Sequence, residues 1–216
     1  MKKHFLLFLL IIAPLFINTV NACENNAKLI LLEEKHYETN GTIVTVKFPQ
    51  IINVDDKIKA DINNLILKTI DTYLDEIKEF DKNPSTAHKL IVEIDFENYY
   101  SDDDIFSFSI NSSQILADSH LQKKFFTINP TTGEIYNVEH FLGSDYQNII
   151  LTTVKKQIAK NTKNNPNLIY FDEEVNNLKI SIDQPFYINK DNQVVVVFDQ
   201  FQIAPGYMSL PSFIVK

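Results

Sequence analysis

Apolar and polar residues alternate along this chain in two rhythms, and the order of those rhythms predicts the fold. Leu29 to Lys35 and Thr42 to Phe48 are apolar or β-branched runs on either side of Thr39-Asn40-Gly41. Asn-Gly between such runs predicts a β-hairpin. Pro49 has no N–H to give to a ladder and is expected to end the second strand. From Asp55 to Phe80 the residues Ile58, Ile62, Leu65, Ile66, Tyr73, Ile77 and Phe80 recur mostly at steps of three and four. That spacing predicts one amphipathic helix of about seven turns, with Asp55 and Asp56 at its positive dipole end. Asp81 to Ser85 is the loop that stops it.

Leu90, Val92, Ile94 and Phe96 then alternate with Glu93, Asp95 and Glu97. A half-buried strand with an acidic outer face is expected. Ser101 to Asp104 makes a turn, Phe106, Phe108 and Ile110 return, and Phe125, Phe126 and Ile128 form a further strand closed by Asn129-Pro130-Thr131-Thr132-Gly133. Ser144 is the expected N-cap of a second helix carrying Tyr146, Ile149, Ile150, Val154 and Ile158 on one face. A short helical turn near Asp172 to Asn177, a hairpin around Asn189-Lys190-Asp191-Asn192 and a closing strand at Ser212 to Val215 complete the chain. The predicted class is α+β: antiparallel sheets with two main packed helices, in two β-plus-helix halves.

The first 22 residues follow neither rhythm. Lys2 and Lys3 precede a nearly unbroken apolar run from Phe5 to Phe16, and Val20-Asn21-Ala22 fits a signal-peptidase site, so residues 1–22 read as an export signal. The run is short for a membrane span, and Pro14 interrupts it. Cys23, the one cysteine, stands first after the cut. Val20-Asn21-Ala22-Cys23 resembles the bacterial lipoprotein box, in which such a cysteine is diacylated. Cleavage at the same bond by ordinary signal peptidase, leaving a free thiol, is the alternative. One cysteine in an exported domain makes no internal disulfide, and lipidation removes an oxidisable thiol. The expected division is signal peptide 1–22, tether 23–28, a hairpin-plus-helix part 29–84 and an antiparallel sheet plus helix 85–216.

Composition narrows the function. With 44% apolar residues and 4 Gly in 216, the chain has material for a core, and collagen and disorder are excluded. All 20 basic residues are Lys against 28 Asp plus Glu, a formal charge of −8, and losing Lys2 and Lys3 makes the exported body more acidic still. Nucleic acid is excluded as a partner, since a phosphate binder shows a basic face and Arg forks. No Gly-x-Ser-x-Gly elbow or phosphate-cradling glycine loop occurs. His36, His88, His120 and His140 have no metal-ligand spacing. Asp102-Asp103-Asp104 lacks the glycine and ligand spacing of a calcium loop and reads as a solvated hairpin tip. Asp118-Ser119-His120 are sequence neighbours, whereas triads assemble from distant segments. No metal, cofactor or catalytic residue is expected.

Three stretches together resemble a known family. Phe125 to Ile135 (FFTINPTTGEI), followed by Val138 to Gly143 (VEHFLG), is similar to the strand, Thr-Gly turn and short helix of the RsiV-type envelope domain, a domain of unknown function found in lysozyme-binding anti-sigma factor ectodomains. Val194 to Gly206 (VVVVFDQFQIAPG) resembles that family's last hairpin and its Tyr-x-Ile-Ala-Pro signature. Phe48-Pro49-Gln50-Ile51 before a long helix resembles the companion domain also found with the peptidoglycan deacetylase PdaC. Ala117-Asp118-Ser119-His120 stands where the family often has Gly-Gly-Ala-His, and Phe201 replaces its Tyr. The resemblance implies a non-catalytic binding module displayed on the envelope, with lysozyme or peptidoglycan as ligand; the leader and the lipoprotein box add the expectation that it is exported to the cell envelope or periplasm and attached to the membrane by a lipid on Cys23. His120 and Tyr207 are the candidate ligand-binding residues. The alternative is a peptidoglycan-modifying enzyme using dispersed carboxylates, with Glu93, Asp95 and Glu97 as the obvious supply.

Overall fold

The computed structural model describes residues 26–82 and 88–216. The predicted export signal and Cys23 lie outside them. Two sheets, each backed by one long helix, make up the α+β fold. The first has strand order β1-β2-β3-β4-β5, formed by β1 (Lys28–Glu38), β2 (Thr42–Ile52), β3 (Leu90–Ser101), β4 (Phe106–Ile115) and β5 (Ser119–Ile128). All its pairs are antiparallel except β2 with β3, which run parallel because helix α1 (Asp56–Glu76) carries the chain back across one face. The three-strand sheet of β6 (Phe186–Ile188), β7 (Val194–Val197) and β8 (Ser212–Ile214) is antiparallel and packs with α4 (Tyr146–Asn164). Short helices α2 (Lys78–Lys82), α3 (Val138–Leu142) and α5 (Asp172–Asn176) fill the connections.

Several expectations need correction. The long helix breaks at Ile77 into α1 and α2. Pro49 lies inside β2 and not at its end. Its pairing with β3 stops at Val46, and on the other side the β1 register slips between Leu31 and Glu33, next to Leu31's pairing with Pro49. No ladder bond to β3 is therefore lost at the proline. Asp145, not Ser144, occupies the N-cap of α4, and its side chain accepts from Asn148 and caps no backbone N–H. The division expected at residue 84 falls within a continuous sheet: one core runs from Ala27 to Ile128, filled by Ile62, Ile66 and Ile70 of α1 against Val46, Ile94 and Phe108 of the strands. The expected tether, over its described part, is built into the fold. Ala27 is buried, and Asn26 Nδ2 donates to the Ser101 carbonyl at 3.0 Å.

The sheets are joined through β6. The buried Ile188 N–H donates to Ser107 Oγ at 3.0 Å, and Tyr187 stacks on both Tyr99 and Phe125 at 4.2 and 5.5 Å between ring centroids. Part of the outer face of the first sheet is thereby covered, and the rest is left open.

Candidate binding cleft

Alternation sends Val92, Ile94, Phe108 and Ile110 toward α1 and sends Glu93, Asp95, Glu97, Ser109, Asn111 and Lys123 to the opposite face. Register then sets who meets whom. Asp95 pairs with Asn111 and Asn111 with Lys123; one step along, Glu97 pairs with Ser109 and Ser109 with Phe125. A connected polar floor results. Asn111 Nδ2 donates to Asp95 at 2.8 Å, and Ser109 Oγ donates to Asn111 Oδ1 at 2.6 Å. Tyr99 Oη donates to Glu97 at 2.8 Å, and Lys123 Nζ donates to the same carboxylate oxygen at 2.9 Å.

This floor underlies two adjoining hollows that share Glu97, Leu121 and Lys123. One, of about 350 Å³, opens over Asp95, Asn111 and Ser113. The other, of about 240 Å³, lies between the sheet and the segment Ser209 to Ser212.

The electrostatics fix the protonation states. Partial burial works to raise the Glu97 carboxyl, but the hydrogen bonds from Lys123 and Tyr99 and the charge of Lys123 outweigh it and hold Glu97 below its ordinary value. The Tyr99 phenol is pushed far above its ordinary range, first by burial, with the Glu97 hydrogen bond and charge adding to it and the Ser109 contact opposing. Tyr187 is raised by burial and by the Glu97 charge. A glycosidase acid needs a carboxyl whose pKa is raised so that it keeps a proton at neutral pH. Glu97 is shifted the other way. Glu97 is therefore held ionised as an acceptor and does not fill the role of that acid.

His120 and Tyr207, chosen from sequence, sit on different elements. His120 is exposed near the start of β5, opposite Gln114. Tyr207 is 66% exposed on the 3₁₀ turn Gly206–Met208, with its hydroxyl donating to the Asn167 carbonyl at 3.0 Å. Gln200 brings their segments to one end of the molecule. Its Oε1 accepts from Leu121 N at 2.9 Å, and its Nε2 donates to Ser119 O at 3.2 Å and to Gly206 O at 3.1 Å. A Cβ on Gly206 would meet the tip of the exposed Phe201 ring, which would have to turn aside.

The remaining described histidines do not converge. His36 of β1 pairs with Glu34 on the same strand and with Thr45 of β2, His140 stacks on Tyr136 at 4.0 Å, and His88 is exposed. Among the described residues, no group of three or more His, Cys, Asp or Glu is gathered for a metal ion. Asp102 caps its own turn, accepting from Asp104 N and Ile105 N, as a hairpin tip requires. Lys123, Tyr99, Ser109 and Asn111 were not singled out from sequence. The signal for two of them was present: Phe106-Ser107-Phe108-Ser109-Ile110-Asn111 alternates strictly, and its polar members are buried at Ser107, Ser109 and Asn111.

Comparison with known proteins places this geometry. The family described as Deacetylase PdaC matches residues 35–116, and the family described as Protein of unknown function (DUF3298) matches residues 135–216. The chain carries a PdaC-type domain followed by a DUF3298 domain. It is 28% identical over 191 residues to the anti-sigma-V factor RsiV of Bacillus subtilis (strain 168), an alignment covering 86% of this chain and 67% of that protein. Two solved DUF3298 structures share the fold: one from Bacteroides fragilis NCTC 9343 with a TM-score of 0.59 at 12% identity, covering 88% of this chain and 89% of that one, and one from Pseudomonas aeruginosa PAO1 with a TM-score of 0.56 at 9% identity and the same coverage. The PdaC-type match runs well past residue 84, through β3 and β4, in keeping with the continuous sheet. Carboxylates of the PdaC-type part and Tyr187 and Ser209 of the DUF3298 part line the same cleft.

Proposed function

We propose that this protein is a non-catalytic binding module of the cell envelope, exported by its leader, anchored by a lipid on Cys23, and recognising a lysozyme-like protein or a cell-wall glycan. The observation that carries this reading is the alignment with an anti-sigma factor along most of the chain, across both domains. Two features support it. The body is acidic, so a strongly basic protein is steered toward it. The cleft carries a floor of fixed donors and acceptors in which Lys123 and Tyr99 hold Glu97 below its ordinary value. Among the described residues no helix is long and apolar enough to cross a membrane. His120 and Tyr207 contribute ligand contacts from the end of the molecule organised by Gln200.

The test is a calorimetric titration with a basic lysozyme at ~150 mM salt, beside a turnover assay on purified peptidoglycan. Saturable heat with no release of acetate or reducing ends is expected. Absence of heat removes lysozyme as the ligand, and released acetate or reducing ends would make the protein an enzyme using its dispersed carboxylates. Palmitate labelling that disappears in Cys23→Ser tests the anchor.

A further inference from the structure

Three large aliphatic residues follow one another on the surface of β1: Ile30 is 38% exposed, Leu31 48% and Leu32 64%. Successive residues of a strand point to opposite faces. A run exposed at every position therefore marks a strand covered on neither side. β1 is the outermost strand, with β2 as its one neighbour in the sheet, and its register slips between Leu31 and Glu33. Free edges are normally blunted by Lys, Pro or a cover, and an aliphatic one is an adhesion site.

The place of this run in the chain identifies its occupant. Asn26 is fixed to the body on both sides: its Nδ2 donates to Ser101 O, its own carbonyl accepts from Asn53 Nδ2 at 3.0 Å, and the next carbonyl, of Ala27, accepts from Ser101 Oγ at 2.6 Å. Glu24 and Asn25 alone separate Cys23 from Asn26, and that stretch of chain reaches no more than about 11 Å even fully extended. Ile30 lies about 13 Å beyond Asn26 at strand rise. A lipid on Cys23 thus holds the bilayer within reach of this run, as of Ser101 and Asn53, which touch Asn26 directly, and the run is the part of the first sheet near that point that exposes large aliphatic side chains.

We infer that the Ile30–Leu32 edge of β1 rests in the membrane interface, with the lipid surface as the occupant of the free edge. The inference rests on the reading of Cys23 as lipidated. Exposed Lys28 beside the run places an ammonium where headgroup phosphates lie. The protein then stands on its β1 edge, and β5, with His120, lies four strand spacings away, about 19 Å across the sheet. The ligand-binding end is held clear of the membrane.

The chain contains no Trp, so a single introduced Trp reports one site. The full protein, expressed with its leader, would be reconstituted in phosphatidylcholine–phosphatidylglycerol vesicles as Leu32→Trp and, for reference, Ile91→Trp, an exposed position on the outer sheet face. The expected result is a blue shift of the Leu32→Trp emission and quenching by brominated lipid, with Ile91→Trp remaining red and quenched by aqueous acrylamide instead. Equal lipid quenching of the two probes, or none at Leu32→Trp in palmitate-labelled protein, overturns the inference and leaves the anchor standing. A protein that takes up no palmitate overturns both. A blue shift of Leu32→Trp without vesicles that grows with protein concentration assigns the edge to a second copy of the chain and overturns the membrane assignment.

Discussion

Glu97 owes its ionised state to two donors, Lys123 and Tyr99, that reach it from different strands, and this gives the cleft a measurable pH signature. Its folded carboxyl titrates below the unfolded one. The stability it contributes is therefore fully present above the unfolded value of about 4.3 and is lost as pH falls through the folded value. Melting curves of wild type and Glu97→Gln should differ at pH 7 and converge on acidification below about pH 4. A gap that widens as pH falls would contradict the Lys123 and Tyr99 assignment. Ser107 offers a second residue-scale check, because its hydroxyl is the acceptor for the buried Ile188 N–H between the sheets. Ser107→Ala should cost about 1–3 kcal/mol in denaturant unfolding, whereas Ser113→Ala at the cleft rim should stay within about 0.5 kcal/mol.

Helix α1 holds the first sheet in shape. Ile62, Ile66 and Ile70 recur every four residues and are almost wholly buried against Val46, Ile94 and Phe108. Ile66→Ala, at 0% exposure, should cost about 2–5 kcal/mol by chemical denaturation, the range for a buried aliphatic that leaves a cavity. The hairpin ahead of it was legible because Thr39 and Gly41 do local work: Thr39 Oγ1 accepts from Thr42 N at 3.0 Å, and a Cβ on Gly41 would collide with the Phe80 carbonyl as α2 passes. Gly41→Ala is accordingly expected to destabilise by about 1–3 kcal/mol, read as a lower denaturation midpoint. Other element features were not legible. Alternation in Leu90 to Phe96 says which face is buried and is silent on which strand lies alongside, so the parallel β2–β3 pair was missed. Pro49 was misplaced for a related reason. A proline ends a strand only where its N–H is needed, and at that point β2 has no β3 partner.

On the scale of the whole molecule, the sequence conveyed the two helix-backed layers, because each rests on local periodicity. It did not convey the cleft, whose members depend on register between β3, β4 and β5 and on how β6 covers part of their outer face. Glu93, Asp95 and Glu97 were visible as an acidic face, but Lys123 became their partner only through its pairing with Asn111. His120 and Tyr207 were visible singly, and Gln200, which ties their segments together, carried no sequence signal. We propose that the part of this acidic protein carrying His120 and Tyr207 binds a basic lysozyme-like partner. Titration of wild type, His120→Ala and Tyr207→Ala with a basic lysozyme at ~150 mM salt tests it most directly. Saturable binding by wild type, weakened at least about tenfold in Tyr207→Ala, an exposed aromatic contact, is the expected result; no binding by wild type, or undiminished affinity in both variants, would contradict it.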